Sequence, residues 1–222
     1  MNTQTISEEK KIHSRPSIFK FIFSPSLEME KIKQKPTIWM PLLITLLLGV
    51  ITVVISSFIP NIVRIQEEQA AQYGMGVEGV QVFMMIYSVV TILVTVPIVL
   101  LISGAIMLGI SKIFKGEGTF KIYFSVSTFL MLLLTIGQLI NIVIAYFVDG
   151  QPNFTSVNGM LNATGSLGDL FTYIEIFTIW TCVLTGLAFH KIGKLSKGIS
   201  IVLGILTFIL ALIIGMLTGG LS

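Results

Sequence analysis

Four polar side chains interrupt long apolar stretches of the sequence and are the first candidates for chemistry: Tyr87, Gln138, Asn141 and Glu175. An apolar environment offers such groups no partners, so each one needs a polar neighbour or a function. Counted inward at about 1.5 Å per helical residue from the expected outer boundary of the membrane, all four lie about 8 to 15 Å deep. Gln138 and Asn141 are also close enough in sequence to share one face of a helix. We therefore predict an intramembrane polar cluster of these four residues, centred on the Glu175 carboxyl group.

Two roles fit such a cluster. It could join helices through buried hydrogen bonds, or it could bind a proton, an ion or a small polar ligand. The rest of the sequence offers no catalytic set, because it lacks a Gly-rich phosphate loop and its two histidines, His13 and His190, are far apart. Cys182 has no histidine near it in the sequence. We therefore expect no catalytic residues, no metal, no cofactor and no enzymatic activity.

Five apolar stretches must position these residues. Each is at least as long as the roughly 20 residues that a helix needs to cross about 30 Å of hydrocarbon. With 54% apolar and only 11% charged residues, the chain has too few charges to solvate the surface of a soluble protein. This composition excludes a soluble enzyme, a disordered chain and a nucleic-acid binder. We predict an all-α, polytopic membrane protein with five transmembrane helices over approximately 38–60, 82–111, 122–148, 170–190 and 199–218.

The lysines and arginines lie in alternate connecting segments. Of 14 such residues, 13 fall in the N-terminal tail, after the second stretch or after the fourth, and the exception is Arg64. Short segments rich in basic residues stay on the cytoplasmic side of a membrane. We therefore predict a cytoplasmic N-terminus and an outside C-terminus. The chain then divides into a cytoplasmic tail, 1–37, and a transmembrane domain, 38–222.

The second half of the tail has the composition of an interfacial amphipathic segment. Ser24 can cap a short helix, Pro25 suits its first position and Pro36 ends it. Aromatic residues and lysines follow each other closely here, and such a segment can lie on anionic headgroups. A dedicated surface for a partner protein is the alternative. The residues expected at the inner leaflet are Phe19, Phe21, Phe23, Lys31, Lys33 and Lys35.

The last apolar stretch carries small residues along one helical stripe, namely Gly204, Ala211, Gly215 and Gly219. Small side chains allow the backbone of another helix to approach closely. We predict a helix-packing surface here. Its partner is either another helix of this chain or a second polypeptide.

Three groups of residues follow one another along the chain: Phe23-Ser24-Pro25 with Glu28, Lys31, Pro36, Trp39 and Pro41; residues 116–121 with Ser125 and Ser127; and residues 175–180 with Gly186, Lys191, Lys194 and Lys197. In this order they resemble the bacterial branch of the Yip (Ypt-interacting-protein-like) family of membrane proteins, over nearly the whole chain from about residue 18. The resemblance implies a polytopic helical protein in the cytoplasmic membrane of a bacterium, with a cytoplasmic N-terminus and without established enzymatic activity. Eukaryotic members work with small GTPases, and the Asp-Leu-Tyr-Gly-Pro motif that they carry is missing here.

Together these features predict a non-enzymatic membrane adaptor or assembly factor, which joins a larger complex through its small-residue stripe and basic tail. The expected partners are membrane lipids and other membrane proteins, without nucleic acid. We expect subunits of an ABC-type exporter among them, because this chain has no phosphate loop with which to use ATP itself. The alternative is a small permease or channel with a polar site around Glu175.

Overall fold

The computed structural model describes residues 14–74, 76–148 and 153–219, and this part of the chain is built from α-helices. Ser156 and Glu175 form an isolated antiparallel β-bridge. The helices are α1 (Ile18–Phe23), α2 (Pro25–Gln34), α3 (Trp39–Ser56), α4 (Pro60–Tyr73), α5 (Val77–Ile113), α6 (Phe120–Val148), α7 (Val157–Leu161), α8 (Gly165–Tyr173), α9 (Ile176–Lys191) and α10 (Lys197–Gly219).

Four of these helices are long and apolar enough to cross a membrane: α3, α5, α6 and α10. They correspond to the first, second, third and fifth apolar stretches of the sequence. The fourth stretch, predicted as one helix over 170–190, is divided into α8 and α9, with Glu175 in an extended conformation between them. α9 is apolar but has only 16 residues, which is shorter than the roughly 20 of a full span.

Helix α6 forms the centre of the bundle and packs against α3, α5 and α9, while α10 packs along α9. The largest buried side chains of α6, Tyr123 and Phe129, lie in the half nearest its first residue. In contrast, α5 and α10 leave most of their apolar side chains exposed. Exposed apolar helix surfaces of this length are suited to contact lipid.

The tail helices are part of the core and do not form a separate layer. The ring of Phe21 in α1 lies 5.0 Å from the ring of Phe129 in α6, measured between centroids. Met29 and Ile32 of α2 are completely buried, in contact with α6 and α9. The predicted start of α2 at Pro25 and its end before Pro36 agree with the structure, although the Ser24 side chain makes no capping hydrogen bond.

Candidate functional site

The first candidate site is the end of the bundle where α2 meets the 114–119 and 192–196 connections, here named the tail face. At its centre Glu28 is completely buried. One carboxylate oxygen accepts a hydrogen bond from the Lys31 ammonium at 2.7 Å, and the other accepts one from the Ser17 N–H at 2.6 Å. Lys31 itself is only 6% exposed. Separating a buried ion pair would leave a buried charge without compensation, so these contacts hold α1 and α2 in one arrangement.

Two further ion pairs connect α2 to the 114–119 loop and to the last residue of α9. Lys33 contacts Glu117 at 3.0 Å, and Glu30 contacts Lys191 at 3.2 Å. The 114–119 and 192–196 loops also contact each other, because the Glu117 N–H donates to the carbonyl of Gly193 at 2.8 Å. Three segments that are distant in sequence therefore form one polar junction.

Glu117 is the connecting residue of this junction. Its carbonyl accepts hydrogen bonds from the hydroxyls of Ser111 and Tyr123, at 2.9 and 3.0 Å. A hydrogen bond and charge attraction from Lys33, with more distant lysines adding to it, hold the pKa of the Glu117 carboxyl below its ordinary value. The carboxyl group is fully exposed, so its pairing depends on salt as well as on pH.

The predicted interfacial residues of the tail do not share one environment. Phe21 and Lys31 point into the bundle, where each has a defined partner. Phe19 and Phe23 are 79% and 82% exposed. Lys33 is partly buried in its ion pair, and Lys35 is exposed. The alternation follows from the helix, since residues two apart lie on opposite sides of it.

The second candidate site is the predicted polar cluster, at the opposite end of the bundle. Glu175 is the residue before α9 and caps it: one carboxylate oxygen accepts from the N–H and the hydroxyl of Thr178, both at 3.0 Å. The other oxygen accepts from the hydroxyl of Thr155 at 2.6 Å. Asn141 donates to this same hydroxyl at 2.8 Å and accepts from the Thr155 N–H at 2.9 Å. Thr155 thereby joins α6 to α9.

The other two predicted members lie elsewhere. Gln138 is exposed. Tyr87 is 61% exposed and stacks on Phe83, one turn away on α5. The division of the fourth stretch explains the difference, because it places Glu175 in the break between α8 and α9, where Thr155 contacts it. The pattern of polar residues within the apolar stretches could not reveal Thr155, which lies outside all of them.

The small-residue stripe of α10 contacts helices of the same chain. A Cβ on Gly204 would lie 3.0 Å from the carbonyl oxygen of Cys182 in α9, and a Cβ on Gly215 would overlap the ring of Tyr173 in α8. Ala211, between them, is half-buried. Gly219 is the last residue of α10. The two glycines thus allow close packing within the fold.

Other chemistry is limited in the part of the chain that the structure describes. These residues contain no group of three or more His, Cys, Asp or Glu side chains that could hold a metal ion. Glu28 and Glu117 were not among the predicted site residues, although the sequence carried a signal for each. Glu28 stands three positions before Lys31 on a helix, and Glu117 is the one acidic residue in a basic connection.

The fold and its exposed apolar helices define a polytopic α-helical membrane protein. A model of the Yip1 domain matches residues 19–218, and the chain therefore belongs to the Yip1 domain family. It is also 28% identical, over 220 residues, to the protein named "Membrane protein YknW" of Bacillus subtilis (strain 168). That alignment covers 92% of this chain and 90% of the relative. No solved structure matches the chain significantly.

Proposed function

We propose that this Yip1-domain protein is a non-enzymatic adaptor or assembly factor of a complex in the bacterial cytoplasmic membrane. In this proposal α9, together with the break before it, forms a fifth crossing. The N-terminus and the tail face are then cytoplasmic, and the C-terminus is outside. The excess of basic residues in the tail and in the two loops beside it supports this orientation.

The observation that carries the proposal is the construction of the tail face. The buried pair of Glu28 and Lys31 holds α1 and α2 together, and two further ion pairs connect α2 to the 114–119 loop and to the end of α9. Such a junction presents the exposed Phe19 and Phe23 in fixed positions. Exposed aromatic residues on a fixed scaffold are typical of surfaces that contact a partner.

An ABC-type exporter is the client that we propose. The sequence has no phosphate-binding loop, so an energy-dependent role would need an ATPase subunit from a partner. The permease alternative depends on Glu175 being available to a solute. Both of its carboxylate oxygens accept hydrogen bonds from Thr155 and Thr178, which favours a structural role.

Affinity capture from the native membrane in mild detergent tests the proposal. We expect exporter subunits to co-purify with the unchanged protein and with the control variant Phe147→Ala. Phe147 is as exposed as Phe19 and Phe23, but it lies at the end of α6 that is far from the tail face. With Phe19→Ala combined with Phe23→Ala, recovery should fall at least about tenfold, as expected for losing aromatic contact residues.

Two results would contradict the adaptor proposal. One is equal recovery of the exporter subunits with Phe147→Ala and with the double variant of Phe19 and Phe23. The other is transport of an ion or solute by the purified protein alone in liposomes, abolished by Glu175→Gln, which would establish the permease instead.

A further inference from the structure

A groove runs between α9 and α10 and encloses a cavity of about 460 Å³. Its floor is the close contact between the two helices, where a Cβ on Gly186 would lie 2.8 Å from the carbonyl oxygen of Ser200. The side chains that form its walls are apolar, and several of these side chains are more than half exposed. The apolar lining consists mainly of Ile179, Val183, Leu187, Ile201, Ile205 and Phe208.

At one end of the groove, beside the tail face, the lining includes His190, Lys197 and Ser200. Ser200 is only 3% exposed, and its hydroxyl has no hydrogen-bond partner among the described residues. A buried hydroxyl without a partner is uncommon in folded proteins and asks for an explanation. A ligand in the groove that accepts a hydrogen bond would supply the missing partner.

The neighbouring groups favour an anion at this end. The His190 Nδ1 lies 2.9 Å from the carbonyl oxygen of Leu195, which can only accept, so the ring is held in place by an N–H that donates to this oxygen. Lys197 is exposed and has no carboxylate within ion-pair distance in the described ranges. It is also the first residue of α10, where the helix dipole disfavours a cation and favours an anion.

The length of the groove matches one acyl chain. From Lys197 to Phe208 the helix rises about 16 Å. Half of the hydrocarbon core of a bilayer is about 15 Å thick. The apolar lining therefore extends from the headgroup region of one leaflet to about the bilayer centre.

We propose that this groove binds one anionic phospholipid of the leaflet at the tail face. The phosphate contacts the Lys197 ammonium and accepts a hydrogen bond from the Ser200 hydroxyl, beside His190. One acyl chain lies along Ile201 and Ile205, against α9. This lipid is a specific ligand of the α9–α10 pair, in addition to the lipids that surround the bundle.

Native mass spectrometry of the full-length protein, released from nanodiscs, tests this site. The nanodiscs contain phosphatidylcholine with a rising fraction of phosphatidylglycerol. We expect one retained phosphatidylglycerol, in preference to phosphatidylcholine. Lys197→Gln and Ser200→Val should each lower its retention about tenfold, the usual effect of losing a hydrogen bond to a charged group.

The matched control is Lys121→Gln, because Lys121 is also an exposed lysine in the first turn of a long helix, but lies outside the groove. It should leave retention unchanged, and Lys197→Arg should preserve it. Rescue by arginine separates a loss of binding from a loss of folding. Ile205→Trp should fill the groove and displace the lipid, with Lys197 still present.

Three outcomes would overturn the proposal. The first is equal retention of the neutral and the anionic lipid. The second is an equal effect of Lys197→Gln and Lys121→Gln. The third is displacement of the lipid by millimolar inorganic phosphate together with no effect of Ile205→Trp, which would indicate an anion site that does not use the apolar groove.

Discussion

Removing the charge of Glu28 should release the tail from the bundle. The two carboxylate oxygens accept from two different donors, the Lys31 ammonium and the Ser17 N–H. In Glu28→Gln the side chain offers one acceptor and one donor, so one of these contacts becomes donor against donor. The side chains of the pair are 0% and 8% exposed, so water cannot replace the lost acceptor.

The cost can be derived from the burial of the pair. Breaking a buried ion pair by removing one partner costs about 3 to 5 kcal/mol, because the remaining charge is left without compensation. At the lower limit, about 3 kcal/mol, the equilibrium between docked and undocked α2 shifts by about a hundredfold. Glu30→Gln is the matched control, since the pair of Glu30 and Lys191 is 46% and 32% exposed. Loss of this exposed ion pair should weaken the docking of α2 by at most about 1 kcal/mol.

Amide hydrogen exchange of residues 18–35, measured by mass spectrometry on the protein in nanodiscs, reports this opening. We expect exchange about a hundredfold faster in Glu28→Gln and at most about fivefold faster in Glu30→Gln. Replacing Glu28 and Lys31 together by methionine should restore slow exchange, because no charge is then left buried. Equal exchange in the two single variants would refute the argument that the buried pair holds the tail.

Three further predictions concern other parts of the fold. Gly186→Ala should lower the free energy of unfolding in detergent by about 1 to 3 kcal/mol, because its Cβ would meet the α10 backbone at 2.8 Å. Gly198→Ala, with nothing within 4 Å, should not lower it. Asn141→Ala removes two hydrogen bonds and should cost about 1 to 3 kcal/mol in thermal unfolding. Gln138→Ala, at an exposed position, should change stability by less than about 0.5 kcal/mol. The pKa of Glu117 is lowered in the folded state, so its contribution to docking is present above its unfolded pKa and is lost as the pH falls through the lowered value. Exchange in α2, corrected for intrinsic rates, should therefore rise in acid, and Glu117→Gln should reduce this pH dependence.

Long helices and their approximate ends could be predicted from the sequence. Apolar stretches of about 20 residues carry a local signal that is strong enough to locate α3, α5, α6 and α10. The bounds of α2 also followed from local residues, since Pro25 and Pro36 restrict the backbone whatever lies around them. Membership in the Yip family, indicated by short groups of residues in order along the chain, is confirmed by the family match.

The division of the fourth apolar stretch could not be predicted in this way. Its composition alone indicates a helix through Glu175, and the predicted polar cluster therefore has Glu175 within the fourth helix. The structure ends α8 before Glu175 because this carboxylate caps α9 and accepts from Thr155, which is 20 positions away. A contact over that distance leaves no trace in the local pattern.

The amino-acid sequence by itself determined which segments are apolar enough to become long helices and where the basic charges lie between them. Only the tertiary structure decided which side of each helix is buried. Phe21 packs against Phe129 while Phe19 and Phe23 remain exposed, and Lys31 is buried because Glu28 lies beside it. The physical reason is that hydrophobicity and backbone restriction act within one segment. The burial of a charge or a ring depends on partners that are brought together only when distant segments pack.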